Sequence, residues 1–233
     1  MKRLALIAVA LLGFAGGVSA QSLGFSANME LMSKYIWRGM AAGNFPGPVA
    51  PGASTDVGLN FTGADENFYA EAYFWTYQSV NIPMHYSEYQ FTLYAETHGF
   101  FVEYNHYFGD MGEVGIGYAL PGAVPVSLAV YTSLYGDDYD ETDTKRNFSN
   151  YIELAVPYSI GNWDIKASFG AVPHKSVYYE NDGGFAVSNM LLESVYNFEL
   201  NDVLTLPVKA AFGYSPLYQN LIYYACVGLS VAF

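Results

Sequence analysis

Titratable side chains recur at alternate positions along much of this chain of 233 residues. In the first such segment Glu30, Lys34 and Arg38 are spaced by four residues. Because successive side chains of an extended strand point to opposite faces, we expect these three to form one row on one face. Later segments carry further ionisable or phenolic side chains on their polar faces: Asp56, Glu71, Tyr73, Glu88, Glu96, Glu103, Glu153, Lys166 and Lys209. Fixed charges arranged in rows of this kind select ions in a water-filled pore.

Motifs for bond-making chemistry are missing. The sequence has no G-x-S-x-G, H-E-x-x-H or Walker pattern, which are the common signatures of acyl transfer, zinc hydrolysis and phosphate binding. Its histidines lack ligand spacing, and the single cysteine, Cys226, cannot form an internal disulfide. An acidic run at 137–143 could attract divalent cations, but it lacks the glycine and terminal glutamate of an EF-hand. We therefore expect a protein that is not an enzyme and that holds no metal or cofactor.

The elements that position these rows are strands. Apolar and polar residues alternate with period two in about twelve segments, and no apolar stretch of the mature chain is as long as a membrane helix. Aromatic residues make up 18% of the chain and charged residues only 13%, which suits a sheet with one face in lipid. In hydrocarbon such a sheet must close on itself to pair its backbone groups. We predict an all-β fold, a single transmembrane antiparallel up-and-down barrel of about twelve strands.

The connections between the segments alternate in length. Long connections such as 39–51, 136–147 and 173–184 alternate with short turns such as 98–99 and 159–162. A soluble β-sandwich would explain the period-two pattern but not this asymmetry, which is typical of outer-membrane barrels. Four aromatic residues near strand ends are expected to form a girdle at the headgroup level: Tyr35, Trp37, Trp163 and Phe233.

Both ends of the chain resemble export signals. Lys2 and Arg3 precede an apolar run from Leu4 to Phe14, and Val18-Ser19-Ala20 supplies small residues, which predicts a signal peptide over 1–20 and a mature barrel over 21–233. The last segment resembles the signal by which barrel-insertion machinery receives its substrates, with Tyr223, Val227, Leu229, Val231 and Phe233 on one face. We expect the bacterial outer membrane as location, with its lipids, lipopolysaccharide and insertion machinery as partners. The balance of 9 basic against 22 acidic residues argues against nucleic acid as a partner.

Three stretches of the first third of the chain form a recognisable pattern: Ala27-Asn28 followed by Ser33-Lys34-Tyr35-Ile36-Trp37-Arg38-Gly39, and two later stretches, 56–61 and 68–75. Through these stretches, residues 25–78 resemble the TorF family of porin-like outer-membrane barrels from Gram-negative bacteria. The chain departs from the family pattern at 40–51, where three prolines stand in a long connection. The resemblance implies a channel and marks Tyr35 and Arg38 as shared residues without assigning them a role.

Three functions are compatible with these patterns. The leading interpretation is passive diffusion of small polar or cationic solutes, with Glu30, Lys34, Arg38 and Glu71 at the constriction and a surplus of carboxylates that favours cations. Alternatively, Lys34 and Arg38 pair with facing carboxylates and fill the interior, which would leave a structural or surface-exposed barrel. A lipid-modifying enzyme would need a Ser/His or His/carboxylate pair at the membrane rim, and no such pair is evident in the sequence.

Overall fold

The computed structural model describes residues 20–41, 51–63, 67–80, 86–122, 124–136, 138–139 and 145–233. Within these ranges the chain forms fourteen strands: β1 (Ala20–Met32), β2 (Ile36–Trp37), β3 (Met40–Ala41), β4 (Gly52–Gly63), β5 (Phe68–Ser79), β6 (Ser87–Thr97), β7 (Phe100–Tyr107), β8 (Met111–Leu120), β9 (Val126–Gly136), β10 (Asn150–Ile160), β11 (Trp163–Val172), β12 (Ala186–Asn201), β13 (Leu204–Ser215) and β14 (Asn220–Ala232). The predicted signal peptide, apart from Ala20, and most of the acidic run at 137–143 lie outside the described residues.

Twelve of the described strands close into one antiparallel barrel, in which β1 pairs with β4 on one side and β14 on the other. From β5 to β13, each strand of the barrel pairs with the strand that precedes it and the strand that follows it in the chain. The prediction of a single up-and-down barrel of about twelve strands is therefore confirmed. Among the described residues, no helix is long and apolar enough to cross a membrane.

Side chains of the wall are apolar outside and polar inside. Leu59, Ile116 and Phe212 are among the many large apolar residues exposed on the exterior, whereas Thr92 and Asn105 are buried in the interior. A soluble protein buries its apolar side chains and exposes its polar ones, so this arrangement is the reverse of a soluble core. The exterior is a lipid-facing surface, and closure of the sheet pairs the backbone groups that lipid could not solvate.

The barrel closes between its first strand, β1, and the end of the chain after β14. The backbone N–H of Phe25 donates to the carbonyl of Phe233 at 3.1 Å, and the N–H of Phe233 donates back at 3.0 Å. The two rings stack with their centroids 6.2 Å apart. We call this end of the barrel, which carries Phe25 and Phe233, the inner end. The other members of the predicted insertion signal lie on the exterior of β14, where Tyr223, Val227 and Leu229 are exposed.

Removal of the terminal ring tests the role proposed for Phe233. We expect Phe233→Ala to lower the yield of folded barrel in the outer membrane, since it removes both the terminal aromatic and a ring pair worth about 0.5–1.5 kcal/mol beyond its burial. Phe212→Ala, which removes an equally lipid-facing ring from β13, is the control. The measurement is the fraction that migrates as the compact form in unheated gel samples. Equal yields for the two variants would contradict the prediction.

The first connection at the outer end folds back into the barrel. Strand β1 ends at Met32, and β2 and β3 then form a short hairpin over residues 36–41, which we call the lumen hairpin. Its two turn residues, Arg38 and Gly39, both have positive φ angles, 49° and 88°, as in the type I′ turns that suit two-residue hairpins. The left-handed conformation costs a non-glycine residue such as Arg38 about 1–2 kcal/mol. Contacts elsewhere in the lumen must hold this residue in place.

Two predictions about this segment are wrong for the same reason. The row Glu30, Lys34, Arg38 does not exist, because the extended strand stops before Lys34 and Arg38 lies at the tip of the hairpin. Tyr35 and Trp37 do not join an aromatic girdle, because their rings contact lumen residues such as Tyr77 and Tyr107. Trp163 and Phe233 are exposed on the exterior near the inner end, where a girdle was expected.

Candidate functional site

The lumen hairpin is fastened to the barrel wall by Arg38. Its Nη1 and Nη2 atoms donate to the two carboxylate oxygens of Glu113 on β8, each at 2.7 Å, and Nη1 also donates to the Tyr179 hydroxyl at 2.6 Å. The Arg38 side chain is 9% exposed and that of Glu113 1% exposed. A bidentate pair of this kind is among the strongest hydrogen-bonded arrangements in proteins.

Aromatic rings enclose the same guanidinium. Its Cζ atom lies 4.5 Å from the ring centroid of Trp37, 4.4 Å from that of Tyr131 and 4.5 Å from that of Tyr151. Burial opposes the charge on Arg38, but the Glu113 carboxylate and then the hydroxyls of Tyr179 and Tyr107 outweigh it, so the pKa of Arg38 lies well above its ordinary value. The hairpin tip therefore carries a permanent, fully compensated positive charge.

Glu113 belongs to a polar network in the wall. Its Oε1 atom also accepts from Asn105 Nδ2 at 3.1 Å and from the Tyr107 hydroxyl at 3.3 Å. Asn105 Oδ1 in turn accepts from Thr92 at 2.7 Å and from Gln90 at 2.8 Å. The network joins β6, β7, β8 and the hairpin. A buried network in which every polar group is hydrogen-bonded favours a single arrangement of its side chains, because any other arrangement would leave a buried group unpaired at a cost in free energy.

Aromatic side chains fill the space around the hairpin. Tyr35 stacks on Tyr77 with centroids 4.9 Å apart, and its hydroxyl donates to Glu88 at 3.1 Å. Trp37 stacks nearly parallel on Tyr179, with centroids 5.8 Å apart. Tyr179 belongs to connection 173–185 at the outer end, which is fixed in turn by Tyr218, whose hydroxyl donates to the Tyr179 carbonyl at 3.0 Å. The hairpin and this connection together occupy the outer half of the lumen.

The inner half of the lumen is open. A cavity of about 600 Å³, which we call the inner cavity, is lined by Asn28, Met29, Glu30, Asp56, Glu193, Val195, Asn197, Glu199, Thr205, Pro207, Lys209, Leu229 and Ser230. Within it Lys209 pairs with Glu30 at 3.1 Å, and Asn28 Nδ2 donates to Asp56 at 2.6 Å. Four carboxylates against one ammonium give this space a negative balance.

A second, smaller cavity of about 110 Å³ lies against the hairpin, and we call it the hairpin cavity. Its lining consists of Ile36, Arg38, Gly39, Tyr151, Glu153, Lys166, Ser168, Asn189, Leu191, Glu193 and Ile222. Lys166 pairs with Glu153 across its wall at 3.0 Å. Glu193 lines both cavities and therefore lies between them.

The structure distributes the predicted lining residues over three places. Glu30, Asp56 and Lys209 line the inner cavity, whereas Arg38, Glu153 and Lys166 line the hairpin cavity. The remaining carboxylates and Tyr73 are half-buried on the wall formed by β5 to β7, where each carboxylate accepts from a neighbouring phenol or amide: Glu71 from Tyr69, Glu88 from Tyr86, Glu96 from Tyr94 and Glu103 from Asn105.

The predicted constriction of Glu30, Lys34, Arg38 and Glu71 is not assembled. Lys34 does not face the lumen, because its Nζ atom lies 3.4 Å from the ring centroid of Tyr223, which is exposed on the exterior of β14. Glu30 is paired with Lys209 in the inner cavity, and Arg38 is paired with Glu113 at the hairpin tip. The narrow part of the lumen is instead formed around Arg38 and Glu113.

Sequence reasoning missed Glu113, Glu193 and Tyr179. Glu113 did leave a signal, since the following positions on its face of β8 are Gly115 and Gly117. A lone carboxylate in a row of glycines marks a place where bulky groups from elsewhere enter, and here the rings of Tyr131 and Phe101 fill the glycine positions. The sequence pattern does not point to Tyr179, because connection 173–185 shows no regular alternation of apolar and polar residues.

Comparison with known proteins bears on the fold. No family model and no curated protein matches the chain. Among solved structures, it is similar to an outer-membrane channel of Pseudomonas putida, at 10% identity over 93% of this chain and 97% of that one, with a TM-score of 0.50. The translocator domain of the autotransporter NalP of Neisseria meningitidis is also similar, at 12% identity over 99% of this chain and 96% of that one, with a TM-score of 0.46. OmpF of Salmonella typhi is similar at 11% identity over 91% of this chain and 97% of that one, with a TM-score of 0.41. The fold, with its lipid-facing exterior, is that of an outer-membrane β-barrel.

Proposed function

We propose that this protein is an outer-membrane channel for passive diffusion of small polar or cationic solutes, narrowed at its outer half by the lumen hairpin. The observation that carries the proposal is the open space inside the barrel, which consists of the inner cavity and the hairpin cavity and is lined by charged and polar residues, with Glu193 common to both cavities. A wet lumen with more carboxylates than cations lowers the energy of a permeating cation and raises that of an anion.

Two further points support a channel. The resemblance of residues 25–78 to the TorF family implies one, and one of the similar solved structures is described as an outer-membrane channel. The cavity volumes also favour slow, selective passage over bulk flow, because the cavity beside the hairpin has about 110 Å³ and the inner cavity about 600 Å³. Only small solutes fit beside the hairpin.

A barrel with a filled lumen is the second candidate. The observation in its favour is the clamp between Arg38 and Glu113, together with the stacked rings of Trp37 and Tyr179 above it. If this arrangement never opens, the barrel serves as a structural or surface-exposed protein.

The third candidate is a lipid-modifying enzyme. A lipid A profile that is unchanged when the protein is deleted would rule this function out.

Planar-bilayer recording of the purified barrel tests the leading proposal. We expect discrete conductance steps that are small for a barrel of this size, and a reversal potential in a KCl gradient that reports preference for K⁺. Protein in the compact form of unheated gel samples must be used, so that misfolded barrel does not contribute. The absence of steps above those of lipid alone, from protein shown to be folded, would favour the filled barrel.

A further inference from the structure

The lumen hairpin contacts both sides of the lumen. Its aromatic and charged side chains pack against the wall formed by β5 to β8, through Tyr35 on Tyr77, Trp37 on Tyr107 and Arg38 on Glu113. On the other side the hairpin reaches Tyr151 of β10 and the backbone of β12, and the hairpin cavity lies there, lined by residues of β10, β11, β12 and β14. A solute in the hairpin cavity is therefore in contact with this second wall.

Charges along that wall do not cancel. Arg38 is neutralised by Glu113, and Lys166 is bound to Glu153 at 3.0 Å. Glu193 lies opposite Lys166 in the register of β11 and β12, but that ammonium is hydrogen-bonded to Glu153. On the side of the inner cavity, Lys209 is bound to Glu30, and it also lies close enough to Glu193 for the two charges to interact. Three carboxylates, those of Glu30, Glu153 and Glu193, thus face two ammonium groups, and among the described residues Glu193 is the one of the three that forms no salt bridge. The hydrogen-bond donor that reaches Glu193 is the neutral hydroxyl of Tyr224.

We propose that Glu193 is the residue that sets the charge selectivity of this barrel, by placing a carboxylate without a salt-bridge partner between the two cavities. The proposal rests on the channel function proposed above. Glu193 is the one described residue that lines both the inner cavity and the hairpin cavity, so an ion moving from one to the other passes close to its carboxylate. The sequence pattern did not single it out.

Glu193→Gln is the direct test, because the amide keeps the size of the side chain and can still accept from Tyr224. A unit charge acts on an ion about 4 Å away with roughly 1 kcal/mol in water, favourably for K⁺ and unfavourably for Cl⁻. We therefore expect each permeability to change about fivefold in opposite directions and their ratio to fall by up to about thirtyfold. Asp202→Asn is the matched control, since it removes an exposed carboxylate from the turn between β12 and β13, and Asp202 lines neither cavity. Lys166→Gln should act in the opposite direction, because it leaves Glu153 without its partner.

Reversal potentials in a KCl gradient separate the outcomes. A lowered ratio for Glu193→Gln with a ratio near wild type for Asp202→Asn supports the proposal. An unchanged ratio for Glu193→Gln, or an equal loss for both variants, overturns it while leaving the channel function intact. No steps from any folded variant, wild type included, overturn the channel function itself and this inference with it.

Discussion

Gly39→Ala will raise the conductance of the barrel several-fold, because the added methyl group cannot be accommodated where the hairpin touches β12. A Cβ atom at this position would collide with the carbonyl oxygen of Ser188 and lie 3.0 Å from the Cβ atom of Asn189. Asn189 pairs with Gly170 of β11, and the Ser188 carbonyl accepts from the Ser215 hydroxyl of β13, so this part of β12 yields less readily than a hairpin held mainly by side chains. We expect the hairpin to be displaced and the outer half of the lumen to open.

Gly109→Ala provides the matched control for that result. Gly109 lies in the turn between β7 and β8 with φ of 82°, close to the 88° of Gly39, but nothing lies within 4 Å of its added Cβ atom. Both variants therefore carry the strain of a left-handed alanine, about 1–2 kcal/mol, and only one carries the collision. Single-channel recording of folded protein is the measurement. Equal conductance for Gly39→Ala and Gly109→Ala would show that the hairpin does not obstruct the lumen.

Arg38→Ala will destabilise the barrel by about 3–5 kcal/mol, the usual cost of leaving one partner of a buried ion pair uncompensated. Glu113 would keep its donors Asn105 and Tyr107 but lose its counter-charge in a site where it is 1% exposed. Adding Glu113→Gln to Arg38→Ala should recover much of that loss, because the neutral amide can be buried without a cation. Urea unfolding in lipid vesicles, followed by tryptophan fluorescence, measures each free energy.

Lys166→Ala is the control for the second prediction. The pair of Lys166 and Glu153 has a similar N–O distance, 3.0 Å, but its side chains are 45% and 24% exposed. Exposed pairs are worth about 0.2–1 kcal/mol, so this variant should remain close to wild type in stability. If Arg38→Ala costs no more than Lys166→Ala, the clamp does not hold the outer half of the lumen together. No rescue in the double variant would mean that the loss came from the aromatic contacts of Arg38.

The two results also separate the candidate functions. A channel whose hairpin obstructs the lumen predicts higher conductance for both Gly39→Ala and Arg38→Ala. A permanently filled barrel predicts loss of stability in Arg38→Ala with no conductance in either variant. The stability of the clamp and its effect on permeation are thus measured independently.

Period-two alternation was enough to predict the wall of the barrel. An extended chain sends successive side chains to opposite faces, so the lumen position of Glu30 and the lipid-facing position of Leu229 follow from their parity within a strand. The connection lengths indicate the up-and-down topology, because long and short connections alternate when consecutive strands run antiparallel and turn at opposite ends of the barrel. These signals are local, and each could be detected within about a dozen residues of sequence.

The point at which β1 ends could not be obtained in this way. Tyr35 and Trp37 continue the alternation of the preceding strand, so the pattern alone extends the strand through Arg38. In the folded chain their rings meet Tyr77 and Tyr107, which are distant in sequence. Contacts with these rings outweigh the local preference to remain extended.

The sequence by itself determined the class of fold, the polar and lipid-facing sides of each strand, and the pairing of both ends of the chain at one rim. Only the tertiary structure decided what occupies the lumen. Arg38 contacts Glu113 at a sequence separation of 75 and Tyr179 at a separation of 141, and such contacts depend on closure of the whole barrel. A buried charge requires a partner in three dimensions, and no local pattern states which distant residue will supply it.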